Sequence, residues 1–269
     1  MLAESKWFCS GNRQMNSDEL QTFQNTFASS QISTPKAFIF DVFGTIVDWR
    51  NSVARIAAHT FDAKGIEIDG LAFADFWRGQ YVPAMARIRS GSRGYVALDQ
   101  LHYENLEATL LEFKLETVLN EQEKWQLNTA WERLDPWPGV ATELTQLKQK
   151  AIIAPCSNGS IALMTRLARH GNLPWDCILG ADIAKNYKPE TAVYLACCKA
   201  LRLEPNEVMM VAAHNDDLVA AQNCNLQTAF IARPAEHGPD QSADLEATGN
   251  WDRVVTSLSQ LCRATDARP

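Results

Sequence analysis

Lys36-Ala37-Phe38-Ile39-Phe40-Asp41-Val42-Phe43-Gly44-Thr45 is the stretch on which the fold turns. Residues 36–40 form a compact apolar run of strand length, ending on an aspartate with Gly44 close behind to allow a tight turn. The pattern recurs downstream. Ala151–Cys156 is a second apolar run and stops at Ser157-Asn158-Gly159, while Cys177–Gly180, Val208–Ala213 and Thr228–Ala232 are three more. Helical stretches separate them: Val140–Gln149, Ser160–His170, Glu190–Leu201 and Asp217–Cys224. Strands alternating with helices imply right-handed βαβ units. The fold class is therefore α/β, a doubly wound parallel, Rossmann-like sheet whose short apolar strands are buried on both faces.

One segment breaks the alternation. Trp49 to Leu134 has helical periodicity, as in Phe73–Arg89 and Leu98–Phe113, and no convincing strand. Inserted after the first strand, residues 49–134 read as an all-helical cap domain, and Pro136-Trp137-Pro138-Gly139 marks the return to the core. The core domain is then 35–48 together with 135–269. Residues 1–34, rich in Gln, Asn and Ser, read as a flexible extension with a short helix around Asp18–Phe27.

A chain of 269 residues, 46% apolar, has room for such a core and cap. Its formal charge of −7 and the lack of any basic run disfavour nucleic acid or an anionic membrane as partner. No apolar stretch approaches bilayer length, and the first residues lack the apolar centre of a secretory signal. The seven cysteines include no CxxC and no Cys/His pairing at zinc spacing, so reduced thiols in the cytoplasm are expected. Cys156 reads as a buried strand-end thiol rather than a nucleophile.

Ligands of open α/β sheets bind beyond the carboxyl ends of the strands. The polar residues following the strands here are Asp41, Thr45, Ser157, Asn158, Lys188, His214, Asn215, Asp216 and Asp217. Singly, each has a bland reading: an Asp after a strand is a turn residue, and Ser-Asn-Gly is a helix cap. Together, and in this order, Asp41-Val42-Phe43-Gly44-Thr45, Ser157-Asn158-Gly159, Lys188-Pro189 and Asp217 resemble the four motifs of the haloacid dehalogenase superfamily. Within it, the Asp-x-Phe-Gly-Thr form and the helical insertion look like the type II 2-haloacid dehalogenases. The resemblance covers Lys36 to the C-terminal helix. Arg78 lies where those enzymes carry a substrate-gripping arginine, and Tyr194, six residues after Lys188, where they carry an active-site tyrosine.

Most of that superfamily are phosphatases, which usually place a second Asp two residues after the nucleophile to protonate the leaving alcohol. Here that residue is Phe43, and a departing halide needs no proton. The fourth phosphatase motif commonly adds an Asp at the position of Ala213, which cannot ligate magnesium. That weakens the metal reading, although Asp41, Asp216 and Asp217 remain a candidate ligand set; the expectation is no metal and no cofactor, with charge neutralised by Lys188 and Arg78.

The resemblance implies hydrolytic dehalogenation of short 2-haloalkanoic acids, with inversion from L substrate to D-hydroxy acid, and with the substrate and a halide ion as small-molecule partners. It also implies a homodimer. Asp41 would attack as a carboxylate, its reference pKa being about 3.9. Lys188 would keep it ionised; Ser157 and backbone N–H groups by Val42 and Phe43 would orient carboxylates; Arg78 and Asn158 would cradle the halide. Water would then attack the Asp41 ester, positioned or deprotonated by Asp217, with Thr45 and Tyr194 supporting. Arg78 has a competing reading as a solvated helix-face residue, and Tyr194 as core. In the best-known members an Asn stands where His214 does. His214 is a donor near the ester, a group that tunes Asp217, or structural, and Asn215 is grouped with it at the pocket. An extra donor in a tight pocket would suit fluoride, as in fluoroacetate. The rivals are a magnesium-dependent phosphatase and a catalytically silent binding module; the intact set of Asp41, Ser157, Lys188 and Asp217 argues against the latter.

Overall fold

The computed structural model describes residues 34–264. The expected leading extension, with its helix around 18–27, thus lies outside the described residues, save for Thr34. The chain opens with β1 (Ala37–Phe40) and a two-residue β2 (Val47–Asp48). Five helices follow: α1 (Trp49–Asp62), α2 (Gly70–Gly79), α3 (Tyr81–Arg89), α4 (Leu98–Glu112) and α5 (Glu121–Asn128). The core resumes with β3 (Asp135–Pro136), α6 (Val140–Lys148), β4 (Ile152–Ser157), α7 (Ile161–His170) and β5 (Leu179–Gly180). Then come α8 (Ala181–Ala184), α9 (Thr191–Leu201), β6 (Val208–Ala212) and α10 (Asn215–Asn223). The last elements are β7 (Gln227–Ile231), β8 (Arg253–Val255) and α11 (Ser259–Ala264).

Six strands form a parallel sheet in the order β5-β4-β1-β6-β7-β8. The chain builds outward from β1 to β4 and β5, then returns to the other side of β1 for β6, β7 and β8. The carboxyl end of β1, where Asp41 sits, is therefore the crevice between the two windings. Alternate residues serve opposite faces, as a strand period of two demands. Phe38, Phe40, Met209 and Val211 join one apolar cluster; Ala37, Ile39, Val208 and Met210 join the other.

The first cluster continues without a break into the helical insertion through Trp49, Trp77 and Trp131, all essentially fully buried. Each such side chain stabilises by roughly 2–3 kcal/mol through burial. The antiparallel pair of β2 with β3 closes the neck of the insertion, an element too short to carry an alternation in the sequence.

The helical stretch expected over Phe73–Arg89 is two helices, α2 and α3, meeting at Gln80. Pro83 is the cause. It has no N–H for the Gly79 carbonyl, so it fits only in the first turn of a new helix. The helix expected from Asp217 starts two residues earlier, with His214 as its N-cap. Ser160 caps α7, its hydroxyl accepting from the Leu163 N–H at 3.0 Å. Among the described residues no helix is long and apolar enough to cross a membrane, and the six described cysteines are free.

Candidate active site

Asp41 is the first residue past β1, and its N–H still bonds the Val211 carbonyl of β6 at 3.0 Å, so the side chain is aimed by the sheet itself. The chain then turns sharply at Gly44, whose φ of +84° suits glycine, and any Cβ there would strike the Glu236 carboxylate. That turn brings Thr45 back beneath Asp41. The Thr45 hydroxyl donates to Asp41 Oδ2 at 2.7 Å and accepts from the Ala213 N–H at 2.9 Å, locking the ends of β1 and β6 together.

Lys188 arrives from the loop before α9, and its N–H is held by Asn158 Oδ1 at 2.8 Å. Its buried ammonium donates to Asp41 Oδ1 at 2.7 Å and to Asp217 Oδ2. Tyr194 on α9 donates its hydroxyl to Asp217 Oδ1. Both oxygens of Asp217 are thus occupied. Ser157 is fully buried, and its Oγ accepts from the Gly159 N–H at 3.0 Å, leaving its own proton free for an acceptor.

The electrostatics follow from this packing. Burial opposes ionisation of Asp41, but the Lys188 charge and the hydrogen bond and charge of His214 outweigh it, so the carboxyl stays well below the usual range. Asp217 goes the other way: burial pushes it up, and Lys188 only partly offsets that. Burial likewise opposes the Lys188 ammonium, yet Asp217 and Asp41 keep it charged far above neutrality. Two nearby carboxylates with opposed shifts are a signature of divided chemical labour. The Cys156 thiol is pushed well up by its hydrogen bond with Cys197 and by burial, as an inert strand-end thiol should be.

The insertion forms the other wall. The Arg78 guanidinium lies 3.8 Å from the Tyr81 ring centroid and 5.5 Å from that of Trp49, while its Nε is buried without an acceptor among the described residues. A half-buried, unpaired guanidinium on aromatic faces is disposed to take an anion. Burial pushes the Tyr81 phenol up, against the pull of Arg78 and a hydrogen bond from Asn158, so these three groups converge. Phe43 and Val42 are buried, and the Phe43 ring meets Trp131 and Tyr81 edge-on at 5.8 and 6.5 Å. Arg89 ties the insertion to the core by donating to the Lys188 carbonyl at 3.3 Å.

Asn215 requires a correction. Its amide donates to Asp244 Oδ1 at 2.8 Å and the Glu246 carbonyl at 3.0 Å, while its Oδ1 accepts from the Thr248 N–H and Trp251 Nε1, each at 2.9 Å. All its donors and acceptors are spent anchoring the loop before β8, and none remains for a substrate.

Two residues at the site were not anticipated. Tyr81 sits at the helix break by Pro83, three residues after Arg78, so the helical spacing was visible but the break hid its direction. Glu236, 1% exposed, holds His214 Nε2 at 2.9 Å and lies in a polar loop with no periodic signal.

A family model described as haloacid dehalogenase-like hydrolase matches residues 35–225. The chain belongs to that family. An (S)-2-haloacid dehalogenase 4A from Burkholderia cepacia is 29% identical over 233 residues, spanning 86% of this chain and 94% of the relative. Among solved structures, a defluorinating L-2-haloacid dehalogenase superposes with a TM-score of 0.84 at 44% identity, covering 87% of this chain and 96% of that one. A further L-2-haloacid dehalogenase gives 0.83 at 45% identity, covering 87% and 100%. The haloacid dehalogenase-like hydrolase thus places Asp41, Thr45, Lys188, Tyr194 and Asp217 in one bonded cluster. Among its described residues no group of three or more His, Cys, Asp or Glu is set to hold a metal ion.

Proposed function

We propose that this hydrolase acts on carbon–halide bonds, converting short 2-haloalkanoic acids to 2-hydroxy acids through an ester formed on Asp41. The observation that carries the reading is a buried carboxylate held ionised by Lys188 with Phe43 two residues along, where no proton can be offered to a leaving group. An ionised oxygen is the nucleophile that displacement at carbon needs, and a halide departs without protonation. Lys188 supplies positive charge between Asp41 and Asp217, so the reading needs no metal there. Arg78, backed by Tyr81 and Asn158, receives the developing halide.

The helical insertion, residues 49–134, acts as a cap that carries Arg78 and Tyr81 over the sheet edge. That two solved relatives near 44% identity are named L-2-haloacid dehalogenases supports the L substrate, and that one is named defluorinating supports fluoroacetate as a candidate. A homodimer is part of the same proposal.

The test is halide release by the purified protein from both enantiomers of 2-chloropropionate and from fluoroacetate, beside phosphate release from small phosphomonoesters, with and without EDTA. Halide from the L enantiomer, insensitive to EDTA, is expected. Phosphate release alone, abolished by EDTA, would overturn the reading.

A further inference from the structure

His214 stands between two carboxylates. Its Nδ1 lies 3.2 Å from Asp41 Oδ2, and its Nε2 lies 2.9 Å from Glu236 Oε2. Glu236 is fixed in turn: Trp49 Nε1 donates to its Oε1 at 2.9 Å, His237 Nε2 is 3.5 Å from the same oxygen, and the backbone of Gly44 presses against it. The imidazole keeps 24% of its side-chain surface, enough to exchange a proton with solvent. An imidazole aimed at a nucleophile by one nitrogen and held by a buried carboxylate through the other is a fixed proton carrier.

We propose that His214, oriented by Glu236, is the base that takes the proton from the water hydrolysing the Asp41 ester. This rests on the covalent reading above and departs from the expectation that Asp217 does so. Asp217 already accepts from Lys188 and Tyr194 on its two oxygens, whereas His214 points a ring nitrogen at the reacting carboxyl.

The protons balance as follows. In the resting enzyme burial opposes an imidazolium, but the bonds to Asp41 and Glu236 favour it, so His214 is protonated. When an Asp41 oxygen bonds the substrate carbon, the carbon–halogen pair leaves with the halide and the Asp41 charge disappears. His214 then loses its main second anion and gives its proton to solvent, the one proton that the net reaction releases with each halide. Water bonds to the Asp41 Cγ and passes a proton to His214 Nδ1. The adduct collapses, the bond from Cγ to the product oxygen breaks, and the leaving alkoxide takes that proton. The carboxyl left on Asp41 returns its own proton to His214, restoring the ion pair. Besides Asp41 and Glu236, the titratable and charged groups around this path are Lys188 beyond Asp41 and His237 and Arg233 beyond Glu236.

The experiment is a single turnover of the full chain with enzyme in excess over L-2-chloropropionate, following halide and, by intact mass, the covalent adduct. In His214→Gln, adduct hydrolysis should fall about 100-fold or more, and halide release far less, so the adduct accumulates. In Glu236→Gln, hydrolysis should fall about tenfold, and the rising limb of its pH profile should move to lower pH, because an anion favouring the imidazolium is gone. A merely structural Glu236 would slow both steps together without moving that limb. Adduct hydrolysed at the wild-type rate in His214→Gln, or both steps slowed equally, overturns this assignment alone. Wild-type enzyme that releases halide without ever forming the adduct overturns the covalent reading beneath it.

Discussion

Replacing Lys188 by methionine removes a charge while keeping most of the side chain's length, and the site predicts both the size and the pH dependence of the result. The Lys188 side chain is 7% exposed, and its ammonium bonds Asp41 at 2.7 Å as well as Asp217. At an effective dielectric of about 20, unit charges at that separation attract by about 6 kcal/mol before desolvation is counted. Breaking a buried pair by deleting one partner costs about 3–5 kcal/mol, because the remaining charge is stranded. Here Asp41 keeps its bonds to His214 and Thr45, and Asp217 can take a proton, so a loss near the lower end, about 3 kcal/mol near neutral pH, is expected. Asp217, already pushed up by burial, protonates first.

The pH dependence has a definite sign. In the wild type the folded pKa of Asp41 is depressed, so its stabilisation is complete above the unfolded value of about 3.9 and is lost only as pH falls through the depressed folded value. In the variant Asp217, pushed up by burial, has lost the cation that partly offset the rise. Its contribution is complete below the unfolded value and is lost as pH rises. The deficit against wild type should therefore shrink as pH is lowered from about 8 to about 5. Urea unfolding followed by tryptophan fluorescence at several pH values measures it. First-turnover halide release should fall at least about 100-fold alongside, for want of the cation that orients the nucleophile. A deficit constant across pH, or one below about 1 kcal/mol, would refute the reasoning.

Thr45→Val removes the hydroxyl that links Asp41 Oδ2 to the Ala213 N–H, leaving a buried donor unpaired; urea unfolding should register a loss of about 1–3 kcal/mol. Arg78→Ala should cut turnover far more than it lowers the melting temperature, and Arg78→Lys should restore only part, since an ammonium lacks the planar fork that lies over Tyr81; normal kinetics in either would return Arg78 to a surface role. A single turnover in heavy-oxygen water should label a peptide containing Asp41 and leave the hydroxy acid largely unlabelled, while Asp41→Asn should be nearly inactive. Label in the product with none in Asp41 would mean that water attacks the substrate carbon directly.

Much of this was legible in the chain because each core strand declares itself by composition and each motif residue follows a strand. A buried parallel strand is an unbroken apolar run, so the first polar residue after it lands at the sheet's carboxyl edge: Asp41 after Phe40, Ser157 after Cys156, His214 after Ala213. Lys188 and Tyr194 lie in and beside one helix start, and their spacing survives folding intact. The helical character of the insertion was readable for the same local reason.

What only the tertiary structure decided were pairings between residues whose separation no periodicity encodes. Glu236 reaches His214 from a loop 22 positions away, and Trp49 reaches Glu236 across 187. Such contacts depend on how the loop after β7 and the insertion pack over the carboxyl end of the sheet, and a polar loop residue carries no local mark of its destination. Asn215 and His214 are chain neighbours with the same prospects in the sequence. They part because His214, as N-cap, turns its ring toward Asp41, while Asn215, in the first turn of α10, projects onto the loop 244–251 and saturates its amide there.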